Sequence, residues 1–599
     1  MKKAKARRKN GQSESKEKQV RPIQQRIALL DSLDNLLDAK IRLEACATIS
    51  QKFEPLQKED LQLYNELRKE LVKLGREGMF RSLVRCVNDT DSLVRINAIG
   101  ALRNIAIIGN EHSISSMQQE DAWSALEKVI QDGDSNVLIN SNLKKEALRV
   151  MEIMCEGSPA IAERRLLDSI PLIKQCLQDV DTEIVEAVSK LLYTATHGNF
   201  PLAKVILTSA DGKELGFLLE KIASDIIKVF ENEQLLSDAY CFGTIINLSV
   251  VSEYSQLPHL LTKLFSLVGN LLTETMLPHV LLNTKIISDT MIYEKEELTE
   301  EDLLVKKESN DMKRWLDICQ AQAIIFDSLG DLLRKVDSLR DESDGNSEFW
   351  QSSIKPLEIG GLLPASLTFC MSTNLAEELS FPKALLVPLQ HLRTSASECA
   401  ASGVDIFISV DPSLLKETWQ RILQLITELN KYTNLLDEVR DRLIASMNLL
   451  FATIRKASYS LASNFDISEL LNYLSTCKVD EVRALVPGIL ERLVQLDPSS
   501  LQSISKSLIQ FMIMNKETNL VVIAEIVDVL INLFSDDETK DLFDSMNGLQ
   551  VFQDFLKSFD SKFSLLKRND YVNLDEELSD KIFGVKSNVE AYLRWRNTS

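Results

Sequence analysis

One apolar helical phrase, residues 91–109 (DSLVRINAIGALRNIAIIG), constrains the fold more than any other stretch of this chain. It begins at Asp91, a residue type that caps helices. It contains no proline before Gly109, where we expect the helix to end. At about 100° per residue, apolar side chains cover most of the helix, and Asn97 and Asn104 share one narrow polar stripe. This pattern predicts a helix with neighbours on two sides, as in the inner layer of a helical stack.

The same phrase recurs in weaker form, each time as a short polar turn followed by a long apolar helix. Its copies lie at residues 36–50, 179–196, 477–496 and 516–534. Periods of about 40–47 residues with two or three helices each are typical of HEAT and armadillo repeats. A long helical bundle is the alternative, but a bundle has no reason to repeat the turn at this interval. We predict an all-α fold, an armadillo/HEAT-repeat α-solenoid that winds as a right-handed superhelix.

The composition agrees with a large, mostly helical array. The 599 residues exceed what one compact core usually holds, whereas a solenoid grows in one dimension. No run of 18 apolar residues is present, so we expect no membrane span. The nine cysteines include no C-x-x-C pair and the five histidines are dispersed, which indicates buried free thiols and no metal site.

Polar and charged segments divide the chain into four parts. Residues 1–22 form a basic tail that carries too little apolar surface to fold. Residues 23–288 hold the N-terminal repeats, and residues 289–312 form an acidic inserted loop. Residues 313–599 hold the C-terminal HEAT repeats, with a second polar break near residues 337–353.

The basic tail is a candidate nuclear localisation signal. Six cationic side chains lie within its first nine residues: Lys2, Lys3, Lys5, Arg7, Arg8 and Lys9. In an otherwise acidic chain this density favours a signal that a transport receptor recognises. The alternative is a solvated tail without a dedicated receptor.

The inserted loop is a candidate binding site for a basic protein. It carries nine acidic residues against three lysines, and its densest cluster is Glu296, Glu297, Glu300, Glu301 and Asp302. The whole chain has a net charge of −20, which attracts basic partners and repels nucleic-acid backbones, so no direct nucleic-acid binding is expected. The alternative is a solvated connector, as most charge runs are.

The sequence indicates recognition and no catalysis. It lacks the phosphate-binding, zinc-protease and nucleophile-elbow motifs, so we expect neither an enzyme nor a cofactor. Asn97, Asn104 and Asn247 are candidate groove residues, because a carboxamide can pair with the main chain of an extended peptide. Asn104 and Asn247 share a Gly-x-x-x-Asn setting that favours this role. The alternative is that these side chains bond to neighbouring loops or helix ends.

Four parts of the chain follow one another in a recognisable order: residues 94–110, residues 147–177, residues 238–250, and then Trp315, Ala321-Gln322 and Asp327 directly after the acidic insertion. In this order they resemble the symportin family, the synchronized-import adaptors that include HEAT-repeat-containing protein 3. A basic N-terminal tail also opens the chains of that family.

The resemblance implies a transport adaptor and dedicated chaperone that carries the ribosomal proteins uL18 and uL5 into the nucleus, where they join 5S ribosomal RNA. It implies that the uL18 N-terminal peptide lies in the solenoid groove, that the acidic insertion receives uL5 in place of ribosomal RNA, and that a karyopherin recognises the tail. The chain departs from the family in its short insertion and in Arg21-Pro22-Ile23, where a Pro-Tyr pair is expected. We expect a monomer that shuttles between cytoplasm and nucleus. The alternative is a generic armadillo/HEAT scaffold for a signalling or trafficking complex.

Overall fold

The structure is a computed structural model that describes most of the chain. The described residues are 28–35, 37–55, 61–132, 134–223, 234–249, 310–342, 362–371, 375–406, 412–432, 437–457, 467–514, 519–568 and 576–598. Within these ranges the regular elements are all helical and no β-strand occurs, which confirms the prediction of an all-α repeat fold. The handedness of the array stays a prediction.

The chain divides into two compact units, Met1–Leu260 and Leu261–Ser599. The principal helices of the first unit, numbered in chain order, are α1 (Ala39–Lys52), α2 (Leu61–Arg76), α3 (Met79–Val87), α4 (Ser92–Gln119), α5 (Ala122–Asp132), α6 (Val137–Gly157), α7 (Leu167–Leu177), α8 (Thr182–Thr196), α9 (Phe200–Thr208), α10 (Ala210–Ala223) and α11 (Leu235–Ser249). A short turn, Pro159–Ile161, and a π-helical turn, Ala162–Leu166, lead into α7.

The second unit continues the helical pattern. Its principal helices are α12 (Asn310–Glu342), α13 (Leu362–Cys370), α14 (Lys383–Ile406), α15 (Pro412–Leu429), α16 (Asp437–Lys456), α17 (Ile467–Thr476), α18 (Asp480–Leu496), α19 (Leu501–Met514), α20 (Leu520–Leu533), α21 (Lys540–Ser545), α22 (Gly548–Arg568) and α23 (Glu576–Thr598). A short helix, Leu375–Glu378, precedes α14.

Within each unit one helix of every repeat packs against its counterparts in the repeats before and after it. We call these the stack helices: α1, α4, α6, α8 and α11 in the first unit, and α12, α14, α16, α18, α20 and α23 in the second. The helix that precedes a stack helix usually covers another side of it, as α3 covers α4 and α15 covers α16. A stack helix is therefore covered on three sides and leaves one stripe exposed, as expected for nearest-neighbour repeats.

Helix α4 illustrates which local signals set the helix bounds. The Asp91 carboxylate accepts a hydrogen bond from the backbone N–H of Leu93 at 2.9 Å, which confirms the predicted cap. The predicted end at Gly109 is wrong, because α4 continues to Gln119. A Cβ atom at residue 109 would lie 2.6 Å from Leu71 Cδ2, so this glycine permits the close approach of α2 and does not end the helix.

Two other helices of the first unit end at or near a glycine. Helix α6 ends at Gly157, and α8 ends at Thr196, two residues before Gly198, which has a φ of 64°. The polar break near residues 337–353 begins later than predicted, because α12 extends to Glu342. Residues 337–342 contain neither glycine nor proline, so polarity alone does not interrupt the helix.

Consecutive turns of the first unit are joined by ion pairs. A cation near the start of each stack helix pairs with an aspartate in the next turn: Arg42 Nε with Asp89 Oδ2 at 2.6 Å, Arg95 NH2 with Asp134 Oδ2 at 2.9 Å, and Lys144 Nζ with Asp179 Oδ2 at 3.0 Å. The three aspartates lie at equal intervals of 45 residues. Each also accepts the backbone N–H of the helix cap two residues later, so one carboxylate fixes both its own turn and the preceding repeat.

The first of these pairs is almost completely enclosed. The side chains of Arg42 and Asp89 are 11% and 8% exposed. Burial opposes ionisation of Asp89, but hydrogen bonds from Arg42 and from the backbone N–H of Asp91 outweigh it and hold the pKa of Asp89 below its usual value. The hydrogen bond to Asp89 is the main cause that raises the pKa of Arg42. The pair is therefore charged at neutral pH.

The second unit contains a different buried charge cluster. Arg393 on α14 and Arg442 on α16 have fully buried side chains and share Glu378, whose carboxylate Oε2 lies 3.3 Å from Arg442 NH1. Arg442 also donates to Gln390 Oε1 at 2.8 Å, and Arg393 donates to the carbonyl oxygen of Phe369 at 2.7 Å. Desolvation lowers the pKa of Arg442 to about 10. These bonds hold three neighbouring helices in register.

One helical window, Ser92–Gly109 in α4, is long and apolar enough to cross a membrane by length and composition. Half of that window is buried inside the unit, between stack neighbours α1 and α6. A core helix of a repeat array passes the same test, so the window is weak evidence for a membrane span.

We expect Arg42→Ala to destabilise the first unit by about 3 kcal/mol, because it leaves the Asp89 carboxylate buried without its partner. The loss is largest at neutral pH. It shrinks as the pH falls through the lowered pKa of Asp89, where the wild type also loses the pair. Urea unfolding at two pH values measures it. Arg81→Ala is the matched control, because the Arg81 side chain is 79% exposed in its pair with Glu120 and contributes little.

Candidate functional site

Two of the predicted groove asparagines lie between neighbouring stack helices. Asn104 is 5% exposed, and its Nδ2 donates to the carbonyl oxygen of Ser50 at 3.0 Å and to Ser50 Oγ at 3.2 Å. Asn247 is 8% exposed and donates to Thr196 Oγ1 at 3.2 Å. Both amides therefore bond to the C-terminal part of the preceding stack helix, which is the alternative that the sequence left open. A peptide-binding role for them stays a prediction.

Asn97 is placed differently from the other two. It lies on the exposed stripe of α4, and its Nδ2 donates to the carbonyl oxygen of Leu93 in the same helix at 2.9 Å. This stripe runs through Asn97, Arg103 and Ile107, whereas the sequence placed Asn104 on it. Asn104 sits at the margin of the stripe, and a small rotation of the helix decides whether such a residue faces solvent or a neighbour.

The remaining predicted sites lie outside the described residues. These are the acidic cluster Glu296, Glu297, Glu300, Glu301 and Asp302, and the basic tail residues Lys2, Lys3, Lys5, Arg7, Arg8 and Lys9. Their roles stay predictions.

The exposed stripe of the first unit carries paired charges. Arg103 on α4 bonds to Glu146 on α6 at 2.6 Å, and Glu146 also pairs with Arg149 at 2.8 Å. Lys190 on α8 bonds to Glu152 at 2.9 Å. Burial raises the pKa of Glu152, and Lys190 partly offsets that effect. Because opposite charges neutralise one another here, this surface has little net preference for a cation or an anion.

The exposed stripe of the second unit opens into a cavity of about 430 Å³ between α12, α14 and α16. Its lining residues come from all three helices: Arg334, Glu398, Ala401, Ser402, Asp405, Ile406, Asn448, Phe451 and Arg455. On each helix these residues recur at intervals of three or four, so they share one face. We call this cavity the second-unit groove.

An acidic residue of the second-unit groove interacts with a carboxylate of the adjacent helix. Burial is the main cause that raises the pKa of Glu398, which lines the groove, and of Asp327 on α12, and the charge of Asp327 adds to the effect on Glu398. Ser395, His391 and Arg334 lower the pKa of Asp327 but do not cancel the effect of burial. A cationic ligand beside Glu398 would stabilise the charged form of this carboxyl, next to the Arg334 and Arg455 guanidinium groups that also line the groove.

The far wall of the groove combines an aromatic ring with an ion pair. The Arg455 guanidinium lies 4.9 Å from the centroid of the Phe451 ring and pairs with Asp405 on α14. The Phe451 ring also packs next to Gly488 on α18, where a Cβ atom would come within 3.4 Å of it. An aromatic face beside carboxylates suits the side chain of arginine or lysine, through charge and cation–π attraction. The sequence analysis missed this groove, although the acidic residues at helical spacing on α12 and α14 were a visible signal.

The cysteine side chains of the described chain are enclosed, and burial strongly raises the pKa of several of them. All nine cysteines are buried free thiols, as the sequence predicted. Burial raises the pKa of Cys155, Cys241 and Cys399 to about 12, which keeps these thiols protonated at neutral pH. Among the described residues no cluster of His, Cys, Asp and Glu is arranged to hold a metal ion.

Stacked helical repeats with a charged groove define a helical-repeat scaffold. Residues 372–599, which include most of the second-unit groove, match the family described as SYO1-like, TPR repeats. The match covers 228 of the 599 residues and agrees with the resemblance to the symportin family in the sequence. Repeat scaffolds of that family are of a non-enzymatic kind.

The remaining comparisons describe likenesses of the fold. The chain is similar to a crystal structure of an engineered protein at 15% identity, with a TM-score of 0.43 and coverage of 85% of this chain and 98% of that chain. It is also similar to importin beta crystallised in an ammonium sulfate condition, at 14% identity, with a TM-score of 0.38 and coverage of 95% of this chain and 69% of that chain. No curated protein sequence matches the chain at a significant level.

Substitution by alanine should have different effects on stability at Asn104 and at Asn97. We expect Asn104→Ala to lower the free energy of unfolding by about 1–3 kcal/mol, because a buried hydrogen bond between stack helices is lost. Asn97→Ala should be neutral or stabilising by a few tenths of a kcal/mol, because alanine favours the helix. Urea unfolding of both variants measures this. Unchanged stability in Asn104→Ala, together with lost binding of a basic peptide, would instead support the groove role.

Glu398→Gln should stabilise the protein at neutral pH. A carboxyl with a raised pKa in the folded state stabilises that state only while it is protonated, and this contribution is lost as the pH rises through the raised pKa. We therefore expect the variant to exceed the wild type in unfolding midpoint at pH 7. The difference should vanish near the unperturbed pKa of about 4. Glu417→Gln, at a side chain that is 67% exposed, is the control.

Proposed function

We propose that this protein is a transport adaptor and dedicated chaperone. Its cargoes are basic ribosomal proteins of the large subunit, uL18 and uL5, which it escorts into the nucleus for assembly of the 5S ribonucleoprotein in ribosome biogenesis. The observation that carries the proposal is the SYO1-like match over residues 372–599. The net charge of −20 supports it, because ribosomal proteins are basic and an acidic carrier masks their charge.

The second-unit groove is the binding site proposed for an extended basic peptide. Glu398 offers a carboxylate whose pKa burial raises, Asp405 offers a second carboxylate, and Phe451 offers an aromatic face beside them. An incoming lysine or arginine would stabilise the charged form of Glu398, so binding would offset a cost that the free protein carries. We assign the N-terminal peptide of uL18 to this groove.

Two segments outside the described residues complete the proposal. The acidic cluster at residues 296–302 receives the RNA-binding face of uL5 as a phosphate mimic, since clustered charges speed association with a basic surface. The tail at residues 2–9 is the signal that a karyopherin recognises. Shuttling between cytoplasm and nucleus follows from the tail.

The second candidate is a generic armadillo/HEAT scaffold for a signalling or trafficking complex. The paired charges on the first unit, such as Arg103 with Glu146, favour no strongly basic cargo there and are compatible with this alternative. Co-purification discriminates between the two. Ribosomal proteins in near-stoichiometric amount support the first, whereas kinase, phosphatase or coat subunits support the second.

The test compares wild type with three variants of the full chain in titrations against the uL18 N-terminal peptide and against uL5. The groove variant is Glu398→Gln with Asp405→Asn, the loop variant changes the five acidic residues at 296–302 to Ser, and the tail variant lacks residues 1–22. Since a hydrogen bond to a charged group contributes about 1.5–3 kcal/mol, we expect the groove variant to bind the peptide at least about tenfold more weakly and to bind uL5 normally. The loop variant should bind the peptide normally and bind uL5 more weakly.

The matched control is Glu417→Gln with Glu428→Gln, which removes the same charge from exposed positions of α15. It should bind both cargoes as wild type does. The tail variant should bind both cargoes and fail to accumulate in the nucleus. Equal affinity of wild type and groove variant for the peptide would contradict the assigned groove, and failure of every form to bind either ribosomal protein would contradict the proposed function.

A further inference from the structure

The first unit exposes a row of large apolar side chains along one edge. We call this edge the turn edge; it comprises the described residues of 34–42, 85–95, 132–145 and 178–184, which connect successive repeats. In the described chain, twelve large apolar residues are strongly exposed, and five of them lie on the turn edge: Leu37, Leu93, Val137, Leu138 and Val180. Leu37 and Val180 are 99% and 98% exposed. Clustered exposed apolar side chains mark a contact surface more often than scattered ones do.

The five side chains lie near the starts of stack helices in four consecutive repeats. Each lies within two residues of the cap of a stack helix: Leu37 beside Asp38, Leu93 after Asp91, Val137 and Leu138 after Asn136, and Val180 before Asp181. The turns themselves are in contact, because Arg42, Arg95 and Lys144 each pair with an aspartate of the next turn. The apolar side chains therefore form a row whose spacing is that of packed helices, about 8–10 Å.

In the described part of the second unit, apolar side chains near the starts of three stack helices are buried instead. Val439 and Leu520 follow the starts of stack helices α16 and α20 and are 0% exposed, and Val479 before α18 is 5% exposed. Apolar residues at these positions can therefore be buried inside a repeat. Their exposure is a property of the turn edge of the first unit and not of the repeat fold in general.

The turn edge is acidic as well as apolar. It holds nine carboxylates and six cationic side chains, and hence a net charge of −3. Five of the cations, Arg42, Arg85, Arg95, Lys144 and Lys145, pair with carboxylates of a neighbouring turn. Asp132 and Glu183 are exposed beside the apolar row, and Glu183 is the partner of Lys145. The excess of three carboxylates favours an occupant that brings positive charge together with apolar side chains.

We propose that the turn edge of the first unit docks a basic amphipathic helix of a partner protein. Seven residues of an α-helix span about 10.5 Å, so a helix laid across the turns brings one apolar side chain to each successive repeat. Lysine or arginine residues beside that stripe meet the carboxylates of the edge. This surface is separate from the second-unit groove, and the inference does not depend on the ribosomal cargoes.

The test measures binding of three synthetic peptides to the full-length protein by fluorescence anisotropy. The first is a helix-forming heptad peptide of leucine and lysine, the second is the same composition in scrambled order, and the third replaces lysine with glutamate. We expect the first to bind wild type at least about tenfold more tightly than either of the others, which corresponds to about 1.4 kcal/mol. Equal binding of the scrambled peptide would overturn the proposal, because charge alone would then account for it.

The edge variant is Leu93→Ser with Leu138→Ser and Val180→Ser. The control is Val205→Ser with Phe217→Ser and Ile513→Ser, which removes exposed apolar side chains elsewhere. Because every changed side chain is largely solvent-facing, circular dichroism and melting temperature should match wild type in both variants. We expect the edge variant to bind the first peptide about tenfold more weakly and the control to bind it as wild type does. Unchanged affinity in the edge variant, or an equal loss in the control, would overturn the proposal.

Discussion

The ion pair between successive turns is the interaction on which the first unit depends most. Each aspartate of the series accepts a backbone N–H that opens its own stack helix and a cation from the repeat before it. The same carboxylate therefore supports the start of one helix and its contact with the preceding repeat. Because repeats contact only their neighbours, these pairs at the first three interfaces of the unit help to keep the repeats in register.

The second unit uses buried charge in a different way. Arg393 and Arg442 are enclosed around Glu378 and hold α13, α14 and α16 together, at a desolvation cost that lowers the pKa of Arg442. Elsewhere on α12 and α14, burial raises the pKa values of Asp327 and Glu398. Glu398 lines the groove, where a cationic ligand would stabilise its carboxylate, whereas the Arg393 and Arg442 guanidinium groups already have Glu378 as their partner.

Local sequence signals predicted the helices of this chain well, but they did not predict which residues of other helices pack against them. Asp91 capped α4 as expected, since an N-cap is decided by hydrogen bonds within four residues. Gly109 did not end the helix, because its role is to admit Leu71 from α2. The Asn104 side chain donates a hydrogen bond to Ser50 of the preceding repeat, although its Gly-x-x-x-Asn setting favoured a role in the groove. In both cases the partner is distant in sequence, and periodicity carries no information about it.

By itself the sequence determined the fold class, the repeat period and the buried free thiols, because these follow from apolar periodicity, turn residues and residue type. It also carried the resemblance to the symportin family. Only the tertiary structure decided which stripe of each stack helix stays exposed, that Glu398 and Phe451 meet across three helices, and that Leu93 and Val180 align along one edge. These features depend on the rotation and offset of one packed helix against the next. Side-chain packing sets that rotation and offset, and the pattern within any single helix does not.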